Sequence, residues 1–478
     1  MKYALAHSSF WGRSLLLGRR LLHRGAAVAS LLILLAPAIW NRFPLLQYDT
    51  GGYLARWYEG DLVPSRSPVF GLFLNVLTYP DFWPAVVIQA ALTVWILTLV
   101  LRALQFGERP WLLVGVTTAL SLLTTLPWLT SVLLTDIFAG LAVLAAHLLI
   151  FAERSLRRWE RHALVVLVAF SVATHNATLA IVLALLGAAA LARWYFAIGS
   201  AAGIARGFAA TVLGAALVVG SNYLVARQLA WTPGGLALSF GRMLQDGIVD
   251  RYLADHCPDP HLRLCAHRAE LPPTADEFFW SGEGSLFDNL GGFDGLGVEM
   301  DEIVVGSLHD YPLLQLRTAS VAGVRQLFRF ATGAGVVNTI WHTYWAIETF
   351  APSNARDMWN ARQQHDGIDF TVINRIDVPV GFASMAVLVF TMMLGWRRGA
   401  FADLALLAAS ITTVLLANAC VCGILSNPHD RYGARLIWLG SLVSALLVCR
   451  VCLKWRAGRD HADDMPNAAL VTEAGPPG

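Results

Sequence analysis

Ten runs of apolar sequence decide what this chain can fold into. They lie near 25–40, 83–101, 111–126, 135–152, 163–174, 177–192, 207–225, 379–396, 402–425 and 436–453. Most are about 15 to 22 residues long, the length a helix needs to cross the hydrocarbon core of a bilayer. A helix satisfies its own backbone polar groups there, so helices are the expected form. Of the 478 residues, 56% are hydrophobic and only 14% charged, against roughly 25% charged in an ordinary soluble domain. The expected fold is therefore an all-α polytopic membrane protein with about ten transmembrane helices. A formal net charge of +2 gives no reason to expect a nucleic-acid partner, and none is expected.

Arginine placement orients the chain. With the N-terminus in the cytoplasm, the inner segments hold Lys2, Arg13, Arg19, Arg20 and Arg24; Arg102 and Arg109; Arg154, Arg157, Arg158 and Arg161; Arg193 and Arg206; Arg397 and Arg398; and Arg450, Lys454, Arg456 and Arg459. The short outer loops are far poorer in Arg, which is the positive-inside pattern. The short runs 163–174 and 177–192 read as two spans, because one bent helix would place the Arg397/Arg398 and Lys454/Arg456 clusters outside. The run Ala26 to Trp40 follows a basic lead and has no small-x-small cleavage site, so it reads as an uncleaved first helix. Both termini are expected in the cytoplasm.

Four regions follow. Residues 1–225 form an N-terminal transmembrane module with spans one to seven and a first external loop at 41–82. Residues 226–378 form an external cap, 379–457 a C-terminal transmembrane module, and 458–478 a disordered cytoplasmic tail. The cap holds 19 acidic residues and 11 Arg among its residues, with Trp231, Trp280, Trp341, Trp345 and Trp359. It is too long and aromatic for an ordinary loop. Within it, 315–331 reads as an amphipathic helix, with Arg317, Arg325 and Arg329 on one side and Val324, Leu327, Phe328 and Ala331 on another. That helix lies either on the outer membrane surface or packed inside the cap. Cys257 and Cys265 in CPDPHLRLC form a disulfide if the cap faces an oxidising compartment, and are free thiols otherwise. His256, His261 and His267 flank them without a standard zinc spacing.

No acid falls near the middle of a span, which counts against an ion-coupled carrier. Ionisable groups gather instead at the outer helix ends. Asp49 follows span one in LLQYDTGGYLARWYEGDLVPSRSP, where Gly51-Gly52 would let the backbone turn sharply near a ligand; Glu59, Asp61 and Arg66 follow. Asp136 opens span four, where a helix N-terminus accounts for it equally well. His175-Asn176 sits between spans five and six. Asn427-Pro428-His429-Asp430-Arg431-Tyr432 precedes span ten, and Arg431 has the forked guanidinium suited to a phosphate. Interfacial anchoring by Arg431 and Tyr432 is the bland alternative. A bundle that gathers these four clusters makes a site for a substrate with an apolar tail and a phosphate-linked head.

The order of these features resembles the GT-C superfamily of membrane glycosyltransferases, which use polyprenyl-phosphate sugars. The resemblance covers roughly residues 25–200 and 425–455, and it is carried by QYDTGGYL, SRSPVFGLFLNVLTYP, TDIFAGLAVLAAHLLIFAERSLRRWER, FSVATHNATLA and HDRYGARLIWL. It departs from the family in having one acid, not a pair, in the first loop, and His175 in place of an Arg. The resemblance implies a transferase of the bacterial inner membrane acting at its outer face, with a polyprenyl-phosphate-linked sugar and a lipid or envelope glycan as partners. It implies Asp49 as general base and Arg431, Arg66, His175 and Tyr432 at the donor phosphate or substrate. Asp136 would orient the acceptor or hold a divalent metal with Asp49. A non-catalytic envelope assembly protein and a lipid or polysaccharide transporter remain as rival readings.

Overall fold

The computed structural model describes residues 18, 21–107, 109–282 and 284–463, with backbone alone for 457–463. Among the described residues the chain is helical, joined by one isolated parallel bridge between Leu45 and Val132. Helix α1 (Leu21–Leu34) and α2 (Ala36–Asn41) are followed by α3 (Tyr48–Glu59) and α4 (Pro68–Val76). Then come α5 (Trp83–Ala103), α6 (Pro110–Leu123), α7 (Leu126–Ser131), α8 (Asp136–Phe151), α9 (Arg158–Thr174), α10 (Asn176–Phe196) and α11 (Ala201–Ala226). The central block holds α12 (Ala237–Gln245), α13 (Ile248–His256), α14 (Ala275–Trp280), α15 (Leu286–Asn289), α16 (Gly292–Asp310), α17 (Pro312–Leu327), α18 (Trp341–Phe350), α19 (Ala355–Trp359) and α20 (Arg362–Asp366). The chain continues through α21 (Thr371–Arg397), α22 (Ala402–Ile424) and α23 (Asp430–Asp463).

The expected apolar runs fall on helices, except that 25–40 is divided at Leu35 between α1 and α2 and 111–126 runs past the end of α6 at Leu123. Among the described residues six helices are long and apolar enough to cross a membrane: α5, α10, α11, α21, α22 and α23. Helices α1, α6 and α8 are apolar but shorter, and α9 opens on Arg158, Glu160 and Arg161. Helix α8 is the central post of the bundle. Asp136 and every residue after it to Ile150 is buried, as a helix apolar on all sides requires. Small residues let its neighbours approach. A Cβ on Gly140 would stand 2.7 Å from the Trp438 ring of α23, and one on Gly203 of α11 would stand 2.0 Å from the Leu149 carbonyl oxygen.

The expected single cap divides into two parts. Helices α12 to α16 have their own core, centred on Phe240, Phe278, Leu296 and Ile303. The later part instead packs into the core of the helical body through Phe330, Ile340, Tyr344, Ile347, Met358 and Phe370. Helix α21 starts at Thr371, ahead of the apolar run expected at 379–396. Its polar first turns are tied down: Thr332 donates through its backbone N–H to Asn374 (2.7 Å) and through its hydroxyl to Asp377 (2.6 Å). Helix α17 ends at Leu327, short of the expected 331, and one side of it packs on α22. Its Ala322 and Gln326 pack on Gly423 of α22, and Arg329 lies beyond it, bound to the Pro428 carbonyl and to Asp430, each at 2.9 Å. The tail expected to be disordered from 458 is helical to Asp463; residues 464–478 lie outside the described residues.

Cys257 and Cys265 are joined by a disulfide with their Cα atoms 5.6 Å apart. Among the described residues no group of three or more His, Cys, Asp or Glu is arranged to hold a metal.

Candidate functional site

Asp49 is delivered to the start of α8 by a tie between two loops. The Leu45 N–H donates to the Ser131 carbonyl, and the Leu133 N–H donates to that of Leu45, both at 2.9 Å. Gln363 clamps the neighbouring peptide, accepting from the Leu46 N–H (3.0 Å) and donating to its carbonyl (2.8 Å). Helix α3 then opens in a reciprocal cap. The Gln47 side chain accepts from the Asp49 N–H (2.8 Å), and the Thr50 hydroxyl accepts from the Gln47 N–H (3.1 Å). That geometry fixes the helix start and puts Asp49 in the first turn.

The sharp turn expected at Gly51-Gly52 does not occur, since both lie within α3. Their missing side chains serve packing. A Cβ on Gly51 would stand 2.5 Å from the Thr343 Cα of α18, and one on Gly52 would stand 3.2 Å from Arg66 Nε. Glu59 and Asp61, from the same sequence cluster, turn aside to pair with Arg56.

Four of the expected residues form one ion cluster. Arg431, the second residue of α23, directs Nε to Asp136 Oδ2 at 2.7 Å and Nη2 to Asp136 Oδ1 at 3.4 Å, while its Nη1 donates to Asp49 Oδ2. Arg66 Nη2 donates to the other Asp49 oxygen at 2.5 Å. The side chains of Arg431 and Asp49 are 14% and 11% exposed and that of Asp136 only 2%, so these are buried, charge-assisted bonds. Thr135, the residue before α8, makes no side-chain capping bond, and the Asp136 carboxylate is committed to Arg431. Burial pushes the Asp49 carboxyl up, but the adjacent Arg66 and Arg431 guanidinium groups more than reverse this and hold it below its ordinary value.

His175 links α9 to α10 in extended conformation, and its Nδ1 accepts from the Ala177 N–H at 3.2 Å. Burial, then the charges of Arg435 and Arg431, hold its pKa well below the ordinary value, with Asp49 opposing. That shift favours the neutral ring, and a neutral ring whose Nδ1 accepts carries its proton on Nε2, a hydrogen-bond donor. Tyr432 makes no bond to the two carboxylates. Its ring packs edge-on against His429 and carries the Arg435 guanidinium 5.5 Å from its centroid.

The cluster separates two clefts. One, a narrow cleft of about 20 Å³, is the more polar: Arg66, His175, Asn176, Ser65, Asn222 and Thr232 line it beside Leu62, Val63, Val218 and Trp231. The other, of about 40 Å³, is lined largely by Leu45, Trp128, Leu129, Val132 and Phe370, with Asp136 and Arg431 as its charged end.

A divalent metal does not fit between Asp49 and Asp136. All four of their oxygens face guanidinium nitrogens, and a cation placed there would be repelled by both arginines. One buried residue escapes a reading of the sequence. Arg435 is fully buried, and its Nη2 donates only to the neutral Asn418 Oδ1 (2.7 Å) and Cys422 Sγ (3.3 Å). Its signal was an Arg one helical turn after Arg431 at the mouth of an apolar run, a placement that is costly without function or partner.

No family model matches the chain, and no curated protein matches it. Among solved structures it is similar to the archaeal oligosaccharyltransferase AglB from Archaeoglobus fulgidus in complex with an inhibitory peptide and a dolichol-phosphate. The identity is 13% and the TM-score 0.40, over 94% of this chain and 52% of that one. The chain thus spans about half the length of that protein. A likeness that loose carries nothing about this chain's chemistry.

Proposed function

We propose that this chain is an integral membrane glycosyltransferase that moves a sugar from a polyprenyl-phosphate donor to a hydroxyl of a lipid or envelope glycan. The observation that carries the reading is the convergence of Asp49, Arg66, Asp136 and Arg431 between an apolar cleft and a polar one. The apolar cleft, small in this closed arrangement, would have to widen to admit a polyprenyl chain, and it ends at Arg431, which suits its phosphate. The polar cleft, with Arg66 and the His175 Nε2–H, suits the sugar and the acceptor. In this reading the site faces the outer side of the bacterial inner membrane. Residues 1–225 and 379–457 carry the spans, both ends lie in the cytoplasm, and the block between them lies outside.

The resting cluster is self-neutralised, which supports a mechanism of exchange. A phosphate entering the apolar cleft competes with Asp49 for Arg431. Asp49, relieved of one guanidinium, regains basicity and accepts the proton of the acceptor hydroxyl. The acceptor oxygen bonds the anomeric carbon as the bond from that carbon to the phosphate oxygen breaks. The electron pair leaves on the phosphate, where Arg431 and Arg66 meet the new charge. Asp136 keeps hold of Arg431 throughout.

The test is transfer from radiolabelled polyprenyl-phosphate sugars by purified protein. Asp49→Asn is expected to lower transfer by about 100-fold or more, the scale of a lost general base. Transfer undiminished in Asp49→Asn would sink the assignment, and no donor binding by the wild type would favour an assembly role instead.

A further inference from the structure

The core formed by α12 to α16 reaches the ion cluster through α14. Ala275, Phe278 and Phe279 are buried in that core. One turn apart on the remaining face stand Asp276 and Trp280. Asp276 Oδ2 lies 2.9 Å from His429 Nε2, and Asn427 Nδ2 donates to Asp276 Oδ1 at 3.4 Å. His429 is two residues before Arg431. The Trp280 ring centroid lies 5.6 Å from the Arg66 guanidinium carbon, and the Tyr53 ring centroid lies 5.8 Å from that same carbon. The helix thus touches both segments that bring a guanidinium to Asp49.

Arg66 needs such support. Its side chain runs over Gly52, where no Cβ confines it, and it follows Ser65, whose φ of 62° lies in the left-handed region. The Tyr53 ring, fully buried, is fixed. The Trp280 ring is the second of the two. An aromatic face attracts a guanidinium without spending any of its N–H groups, so Arg66 keeps its donors for Asp49 and for an arriving anion.

We propose that Trp280 is a positioning residue: it holds the Arg66 guanidinium on Asp49 and turned toward the donor phosphate, with Asp276 latching α14 to the loop that carries Arg431. The proposal rests on the reading of Arg66 as a phosphate ligand. The separately folded cap core is then a working part of the site.

The test is calorimetric binding of farnesyl phosphate, a short polyprenyl phosphate, to the full chain in detergent. Wild type is compared with Trp280→Leu, Trp280→Phe, Arg66→Ala and the Arg66→Ala/Trp280→Leu double variant. Trp280→Leu is expected to weaken binding about 3- to 30-fold, the range of one partly desolvated cation–π contact. Trp280→Phe, which keeps a ring face, is expected to recover most of it. In the Arg66→Ala background, Trp280→Leu is expected to add nothing, since it acts through Arg66. Unchanged affinity in Trp280→Leu, or losses that add fully in the double variant, would overturn the positioning role. Failure of the wild type to bind farnesyl phosphate is a separate result: it removes the proposed function, and this proposal falls with it.

Discussion

In the helical body, Arg431 and Asp49 share a hydrogen bond across 382 residues of sequence, and both are nearly buried. In the cap core, Arg251 and Asp255 are four residues apart, 3.9 Å from each other and more than half exposed. The two parts hold charge for different ends. The body's cluster buries two carboxylates together and neutralises them by bringing in distant segments, so those ion pairs depend on the whole fold. The Arg251–Asp255 pair of the cap lies along one helical turn in water, where a pair contributes little; the cap core itself is a small aromatic cluster with a disulfide beside it. A site that must capture an anion from outside belongs with the first arrangement, because its cations are held by partners that a ligand can displace.

The largest effect that would break this contrast is at Arg431. Arg431→Ala leaves Asp49 and Asp136 facing each other in a buried place, and is expected to abolish donor binding and lower stability by about 3–5 kcal/mol. Thermal unfolding in detergent measures it; a shift no larger than that of an exposed arginine would show that the body's cluster is as loosely held as the cap's. Next is the disulfide. Cys257→Ser with Cys265→Ser is expected to weaken the cap core by about 2–4 kcal/mol. Limited proteolysis should then open sites within 237–304 while the body's fragments persist. Loss of both together would join the two cores into one cooperative unit.

Gly51→Ala tests the body's packing. The new methyl meets the Thr343 backbone, which has no side chain to swing away, and a cost of about 1–3 kcal/mol is expected. pH sharpens the contrast further. His175 binds a proton more readily in the unfolded chain, near the ordinary pKa of about 6.5, than in the fold, where burial and two arginines lower it. Between those values the unfolded state holds more protons, so stability rises with pH by up to about 1.4 kcal/mol per unit from this group. His175→Asn is expected to flatten that slope below pH 6.5, though not abolish it, because His342 is also lowered, chiefly by burial. An unchanged slope would mean His175 is not held neutral. The smallest effect is in the cap: Arg251→Ala is expected to shift stability by no more than about 0.5 kcal/mol.

Much of the site was legible beforehand because ionisable groups at the ends of apolar runs are conspicuous. Asp49, Arg66, Asp136 and Arg431 stand out for that reason, and the structure brings them within bonding distance. The role of Gly51-Gly52 was misread because a glycine pair signals a turn and a close helix contact equally well. Arg435 was passed over because a single Arg at the edge of an apolar run looks like an anchor. Trp280 and Asp276 had no signal at all, since aromatic and acidic residues in a polar stretch are ordinary until a fold aims them.

The lengths and composition of the apolar runs determined by themselves that the chain is helical and where most of its helices lie, because those are properties of successive residues. Which helix ends meet was decided only by the tertiary structure. Gln363 clamping Leu46, 317 residues away, and the bridge between Leu45 and Val132 bring Asp49 to Asp136, and Arg431 with Arg66 supplies the cations that neutralise the pair. Such partners are chosen by the cost of burying charge in a particular place, and no stretch of sequence read alone contains that place.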